Sequence, residues 1–198
     1  MIGEPFIILP TIDSTNNYAK ALIRDGLAKN GMVVFADEQT HGRGQKNNTW
    51  VSEKGVNIMM TAIVDTRELS TQNQFPLSCA IAVACSDFFS LHAGDETCIK
   101  WPNDLYWRDR KAGGILIENV IKGSIWEYAI IGIGININQV VFTQMKNTPV
   151  SLKQITGKTF DSRLMAKELC KFLNQRFTEL LAGHFDRLLN LYNQRLFK

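Results

Sequence analysis

The chain has 198 residues, 45% hydrophobic and 21% charged, enough for one globular domain with a sizeable core. Its 22 basic and 19 acidic residues leave a net charge of +3, too mild a balance to point to nucleic acid or a membrane surface. The start MIGEPFIILPTIDST is too short and too acidic for a signal peptide, and no apolar run is expected to span a membrane. Four cysteines, at 79, 85, 98 and 170, form no C-x-x-C pair and no disulfide framework. Three lie in apolar runs, the pattern of buried reduced thiols, so a reducing, cytoplasmic compartment is expected.

In chain order, PFIIL reads as a short strand. Ser14 is placed to cap a helix over TNNYAKALIRD, which Gly26 ends. GMVVFADE reads as a buried strand, EQTHGRGQKNNTW as a loop without apolar period, and GVNIMMTAIV as the strand leaving it. QFPLSCAIAVACSDFFSLHAG has helical spacing and closes on Gly94. CIKW, DLYW, GGILIENVI and SIWEYAIIGIGININ then form a meander of antiparallel strands, broken by PN, RDRK and KG. Helical period returns from Asp161 to the end with a break near Gly183. This partial segregation predicts an α+β fold with a mixed, mostly antiparallel sheet flanked by helices, in one domain over residues 1–198.

Three stretches ask for a chemical explanation. In YAIIGIGININ, alternation puts Ala129, Ile131, Ile133, Ile135 and Ile137 on a core face, and Ile130, Gly132, Gly134, Asn136 and Asn138 on the other. Two glycines in register mark close approach of a ligand or another backbone, or a helix packed tightly on them. In KWPNDLYWRDRKAGGILIE, Lys100, Asn103 and Asp104 surround a proline turn, and Lys111 ends a charged turn before Gly113 and Gly114. Lys111 is either a solvated hairpin lysine or a group placed where the glycines admit something large. Asp104 is suited to neutralise a lysine, cap a turn or hold a hydrated magnesium. In the loop, Gly42 and Gly44 would free backbone N–H groups for an anion, Arg43 would supply a bidentate phosphate contact, and Trp50 could stack on an adenine. Neither a Walker A motif nor a G-x-G-x-x-G fingerprint is present.

Taken together, STNNYA, EQTHGRGQKNNTW, KWPNDLYW, KAGGILIE and GIGININ, in that order, resemble the catalytic domain of biotin–protein ligases from about Ser14 to Asn138. The resemblance implies the class II aminoacyl-tRNA synthetase and biotin–lipoate ligase type of fold. It implies a monofunctional enzyme that activates biotin with ATP and Mg²⁺ as biotinyl-5'-AMP. The biotinyl group then passes to a lysine of a biotin carboxyl carrier domain of a carboxylase. It places Ser14, Thr15, Asn16 and Gln39 at biotin, with Arg43, Gly44, Gln45, Lys111, Gly113 and Gly114 also lining the biotin site. Gly42, Arg43, Gly44, Trp50, Asn103, Lys111, Gly132, Gly134 and Asn136 would hold ATP or the adenylate. Arg43 and Lys111 would be catalytic, Asp104 would sit near the magnesium-assisted phosphate, and the loop would close as a lid.

The chain departs from the family pattern in places. Asn47 stands where a third glycine is usual, a position whose turn asparagine tolerates, and Gln45 stands for an arginine, leaving more of the phosphate binding to Arg43 and Lys46. No helix-turn-helix precedes the first strand, so no DNA role is expected. The family's small C-terminal β domain is expected to be absent, and monomer and homodimer both fit. Lipoate ligases and octanoyl transferases share the fold, but their R-R-x-x-G-G-G loop is missing and Cys98 is no evident acyl carrier. A non-catalytic biotin or nucleotide sensor would not need Arg43, Lys111 and Asn136 together.

Overall fold

The computed structural model describes residues 1–142 and 148–197, with the backbone alone of Asn47. Seven strands form one sheet: β1 (Phe6–Leu9), β2 (Val33–Ala36), β3 (Ile58–Asp65), β4 (Thr97–Lys100), β5 (Asp104–Trp107), β6 (Arg110–Lys122) and β7 (Ile125–Ile135). Their order is β1-β2-β3-β7-β6-β5-β4. Only β1 and β2 run parallel; the other neighbours are antiparallel. The β4–β7 meander is the one expected from the alternation and the short breaks between runs.

Two layers of helix cover this sheet unequally. α2 (Gln74–Ala93), α4 (Ser162–Leu181) and α5 (Phe185–Gln194) pack on one face, over Phe35, Met60, Ala62, Ile131, Ile133 and Ile135. Among the described residues, α1 (Thr15–Arg24) is the helix that covers the other face, over Ile63 and Ile130. The alternation in β7 thus falls as expected, with Ala129, Ile131, Ile133, Ile135 and Ile137 in the main core. At Gly132 and Gly134 this second face is met by single side chains, the Asn16 amide from the first turn of α1 and the Trp50 ring.

Three expectations change. The segment Thr71–Ala93, the 3-10 turn Thr71–Asn73 and α2 together, is long and apolar enough to cross a membrane by length and composition, although none was expected; 61% of its apolar window is buried here. It is apolar all round because the sheet lies on one side and α4 and α5 on the other. Lys111 belongs to β6 rather than to a charged turn, because the turn is confined to Arg108 and Asp109 with Arg108 in the left-handed region at φ 53°. A short helix, α3 (Leu152–Thr156), forms over the SLKQIT stretch, where Ser151 and Gln154 cap its start reciprocally.

Candidate functional site

A cavity of about 390 Å³ opens on the glycine face of β6 and β7. Its floor is sheet, one wall is the first turn of α1, and the roof is the loop 39–50. The β4–β5 turn closes the far end with Trp101, Pro102 and Asn103. The two β7 glycines are explained separately. A Cβ on Gly132 would collide with the Asn16 amide, and one on Gly134 would stand 2.5 Å from the Trp50 ring. Both close contacts come from side chains: the helix reading holds at Gly132, while at Gly134 a loop tryptophan takes the place expected for a ligand or another backbone.

A chain of hydrogen bonds runs beneath the wall. Gln39 Oε1 accepts from the Thr15 backbone N–H at 2.8 Å, which fixes its amide with Nε2 towards Gly42. Thr61, fully buried on β3, lies 2.8 Å from the Thr15 hydroxyl and 2.6 Å from Asn16 Oδ1. A hydroxyl has one proton, so Thr61 donates to the acceptor-only Asn16 Oδ1, and the single Thr15 hydroxyl proton serves both Gln39 Oε1, 3.1 Å away, and Thr61. Asn16 Nδ2 then donates to Glu118 Oε2 at 2.9 Å. Ser14 occupies the N-cap position of α1, but its side chain makes no capping bond; it is buried at the cavity instead.

The loop folds as a tight hairpin. Arg43 bridges Thr49, Trp50 N–H donates to the Gly42 carbonyl at 2.9 Å, and Gly44 N–H donates to Asn48 at 2.7 Å. The expectation that Gly44 frees its N–H for an anion is therefore corrected: that donor is spent inside the hairpin. Neither Gly42 nor Gly44 has positive φ; the left-handed residue is Lys46, at φ 51°. Gly42 is needed because a Cβ would strike the Trp50 carbonyl, and Gly44 because one would press on Asn48 at 3.2 Å. Among the described residues, nothing accepts a hydrogen bond from the buried Trp50 indole N–H.

Each of two cavity cations has its own carboxylate. Lys111 Nζ donates to Asp104 Oδ1 at 2.7 Å, across a register shift where β5 meets β6. A Cβ on Gly114 would make only ordinary contact with the pair, 3.6 Å from Lys111 Nζ and 3.4 Å from Asp104 Oδ1. Arg43 grips Glu118, with Nη2 to Oε1 at 3.0 Å and Nη1 to Oε2 at 3.2 Å. Burial works to raise the Glu118 carboxyl, but Lys20, Asn16 and Arg43 together hold it below the usual range. Arg43, Lys46 and Lys111 against Asp104 are the charged lining side chains, a surplus of positive charge suited to a polyanion.

Among the residues expected at the site, Ser14, Thr15, Asn16, Gln39, Arg43, Gly44, Gln45, Trp50, Asn103, Asp104, Lys111, Gly114, Gly132 and Gly134 line this one cavity. Three do not. Gly42 and Gly113 lie behind the lining, where a Cβ on Gly113 would be 2.7 Å from the Gly134 carbonyl. Asn136 is buried, and its amide donates to the carbonyls of Val150 at 3.1 Å and Lys111 at 3.4 Å. In this arrangement it braces the strand that carries Lys111. Asn103 does similar work on the other side, donating to the Ile115 carbonyl at 2.5 Å while lining the cavity.

Sequence reasoning missed Thr61, Glu118 and Trp101. Thr61 is the polar residue in the apolar run IMMTAIV, and Glu118 lies at period two after Gly114 and Leu116. Those were the available signals. Trp101 lines the mouth while 70% exposed. Among the described residues no three His, Cys, Asp or Glu side chains cluster. Magnesium commonly takes one carboxylate and fills its octahedron with phosphate oxygens and water. Asp104, the single carboxylate of the lining, fits that arrangement.

Residues 8–136 match the biotin/lipoate A/B protein ligase family profile. The chain is 31% identical over 188 residues to the bifunctional ligase/repressor BirA of Bacillus spizizenii, covering 93% of this chain and 57% of that protein. It is 30% identical over 187 residues to the biotin–[acetyl-CoA-carboxylase] ligase of Paracoccus denitrificans, covering 91% and 71%. The chain thus spans little more than half the length of the first of these relatives. The biotin protein ligase of Aquifex aeolicus, solved with biotin and ATP, superposes with a TM-score of 0.82 at 26% identity, over 96% of this chain and 78% of that one. The Leishmania major ligase with biotinyl-5-AMP gives 0.69 at 28%, over 92% and 80%.

Proposed function

The chain belongs to the biotin/lipoate A/B protein ligase family, and from that premise we propose that it joins biotin to ATP as biotinyl-5'-AMP and passes the biotinyl group to a protein lysine. The observation that carries this reading is the pairing, in one cavity, of a polar wall (Gln39, Thr15, Asn16) with two basic groups (Arg43, Lys111). The wall suits a neutral ureido ring, which offers a carbonyl and two N–H groups. The basic groups suit a carboxylate meeting a phosphate.

Two anions must react, so the barrier is largely electrostatic and positional. A biotin carboxylate oxygen attacks the α-phosphorus, the bond to the bridging oxygen breaks, and pyrophosphate leaves with the electron pair. Lys111, in the cavity beside Gly114, is placed to offset charge growing on the α-phosphate. Arg43 would contact the activated group from the hairpin. Bound magnesium would neutralise phosphate charge, with Asp104 as its protein ligand. In the second step the amine of the acceptor lysine attacks the acyl carbon, a proton is lost, and AMP leaves. The hairpin over the cavity would shield the mixed anhydride from water. A carrier domain of a biotin-dependent carboxylase is the proposed acceptor, and the domain would act as monomer or homodimer.

Pyrophosphate release on mixing the chain with biotin and ATP–Mg²⁺ tests this reading. Release with biotin but not with lipoic acid is the expected result. Release only with lipoic acid would transfer the site to the lipoate branch, and biotin binding without release would make it a sensor.

A further inference from the structure

Glu118 is embedded in donors that come from two parts of the chain, Asn16 and Lys20 of α1 and Arg43 of the glycine hairpin. Its Oε1 accepts from Lys20 at 2.7 Å and Arg43 at 3.0 Å, and its Oε2 from Asn16 at 2.9 Å and Arg43 at 3.2 Å. Arg43 in turn has one further anchor, Asn17 Oδ1 at 3.1 Å. Through this one guanidinium the glycine hairpin is tied to both β6 and α1. The four residue steps from Gly114 to Glu118 along an extended strand span roughly 13 Å. Lys111 is at the Gly114 end and Arg43 at the Glu118 end, so the two basic groups are held apart by separate carboxylates. A small acid and the phosphate it is joined to would bring both groups to one spot.

Lys20 makes that exchange feasible. If Arg43 turns to an incoming anion, Glu118 keeps one cation and the Asn16 amide, so no carboxylate is stranded without donors. We infer that Glu118 is the positioning residue of Arg43: it holds the glycine hairpin against β6 and α1, and yields the arginine to an anion because Lys20 remains as its counter-ion. This deepens the proposed function and rests on it for the identity of the anion.

The test is limited trypsin digestion of the full chain without added ligand, following cleavage after Arg43, with cleavage after Lys158 as an internal reference. Glu118→Gln should speed cleavage after Arg43 by about fivefold, the scale of a partly exposed ion pair. Lys20→Met should slow it, by about twofold, because Glu118 then depends more on Arg43. The Lys158 site should cut alike in all three proteins. Opposite signs in the two variants separate this role from general loosening, which would speed both sites in both. Equal cleavage after Arg43 in Glu118→Gln and parent would overturn the inference. Lys20 is half-exposed and its variant should fold, so unchanged or faster cleavage there would overturn it independently. The contrast needs no ligand, and inactivity towards biotin and ATP would therefore overturn the proposed function alone.

Discussion

Replacing Gly134 by alanine should lift the loop from the sheet. The new Cβ would lie 2.5, 2.7 and 2.9 Å from three atoms of the Trp50 indole, where ordinary contact starts near 3.4 Å. The ring must withdraw by about 0.9 Å, the difference between 2.5 and 3.4 Å. Gly134 cannot retreat, because it sits on a central strand paired to both β3 and β6. The Trp50 main chain is tied into the hairpin, its backbone N–H donating to the Gly42 carbonyl, so a displaced ring carries the hairpin with it. The hairpin moves, and Arg43 moves with it. Overpacking of this kind costs about 1–3 kcal/mol, and the low end applies because a surface hairpin can shift. That lowers Tm by roughly 2–4 °C for a chain of this size. Activity should suffer more, since a misplacement near 1 Å can cost on the order of 10² in rate. The assay is thermal unfolding and pyrophosphate release for Gly134→Ala, Trp50→Ala and the double variant. With the ring removed, the added methyl should cost almost nothing further in stability. Additive losses would refute the reasoning, because the clash with Trp50 would then not be the cause.

Lys111→Ala should slow adenylate formation by on the order of 10², the usual loss for one transition-state contact; parental rates would rule out its assigned role. Thr61→Val leaves Asn16 Oδ1 without its donor, at a cost of about 1–3 kcal/mol, and should weaken biotin binding by calorimetry, whereas Thr61→Ser should restore it. Equal affinity in all three would show that the hydroxyl does not position the wall. Glu118 has a depressed folded pKa, so its hold on Arg43 is complete above the unfolded glutamate value of about 4.3 and is lost as pH falls through the lower folded value. The Arg43 Hε resonance should stay fixed from neutral pH down to that point, and a shift beginning well above it would contradict the assignment. Burial pushes the Cys79 thiol up to about 11 and Cys170 to about 12, and raises Cys85 further. A thiol reagent at pH 8 should therefore label only half-buried Cys98 in the folded protein; rapid labelling of a second thiol would be inconsistent with these environments.

Much of this was legible in the chain because it depends on local pattern. The alternation in YAIIGIGI fixes which face of β7 is core, since side chains on a strand must point alternately to its two sides. Gly26 and Gly183 mark helix ends through a backbone region that only glycine enters freely, and both have positive φ. The order of the five motifs named the family, and most of the residues in them meet around one cavity. What was not legible depends on pairs of residues far apart in sequence. Lys111 read equally well as a solvated hairpin residue, and became half-buried only because β6 begins early and brings it to Asp104. Asn136 read as a lining residue, yet packing turns its amide to the carbonyls of Val150 and Lys111. The reason for Gly134 was undecidable until Trp50, 84 residues earlier in the chain, came down on it. Likewise Glu118 is an unremarked strand carboxylate in the sequence. It gains its partners because the sheet sets β6 beneath α1 and the loop, where burial makes each missing donor costly and so determines which ones must be there.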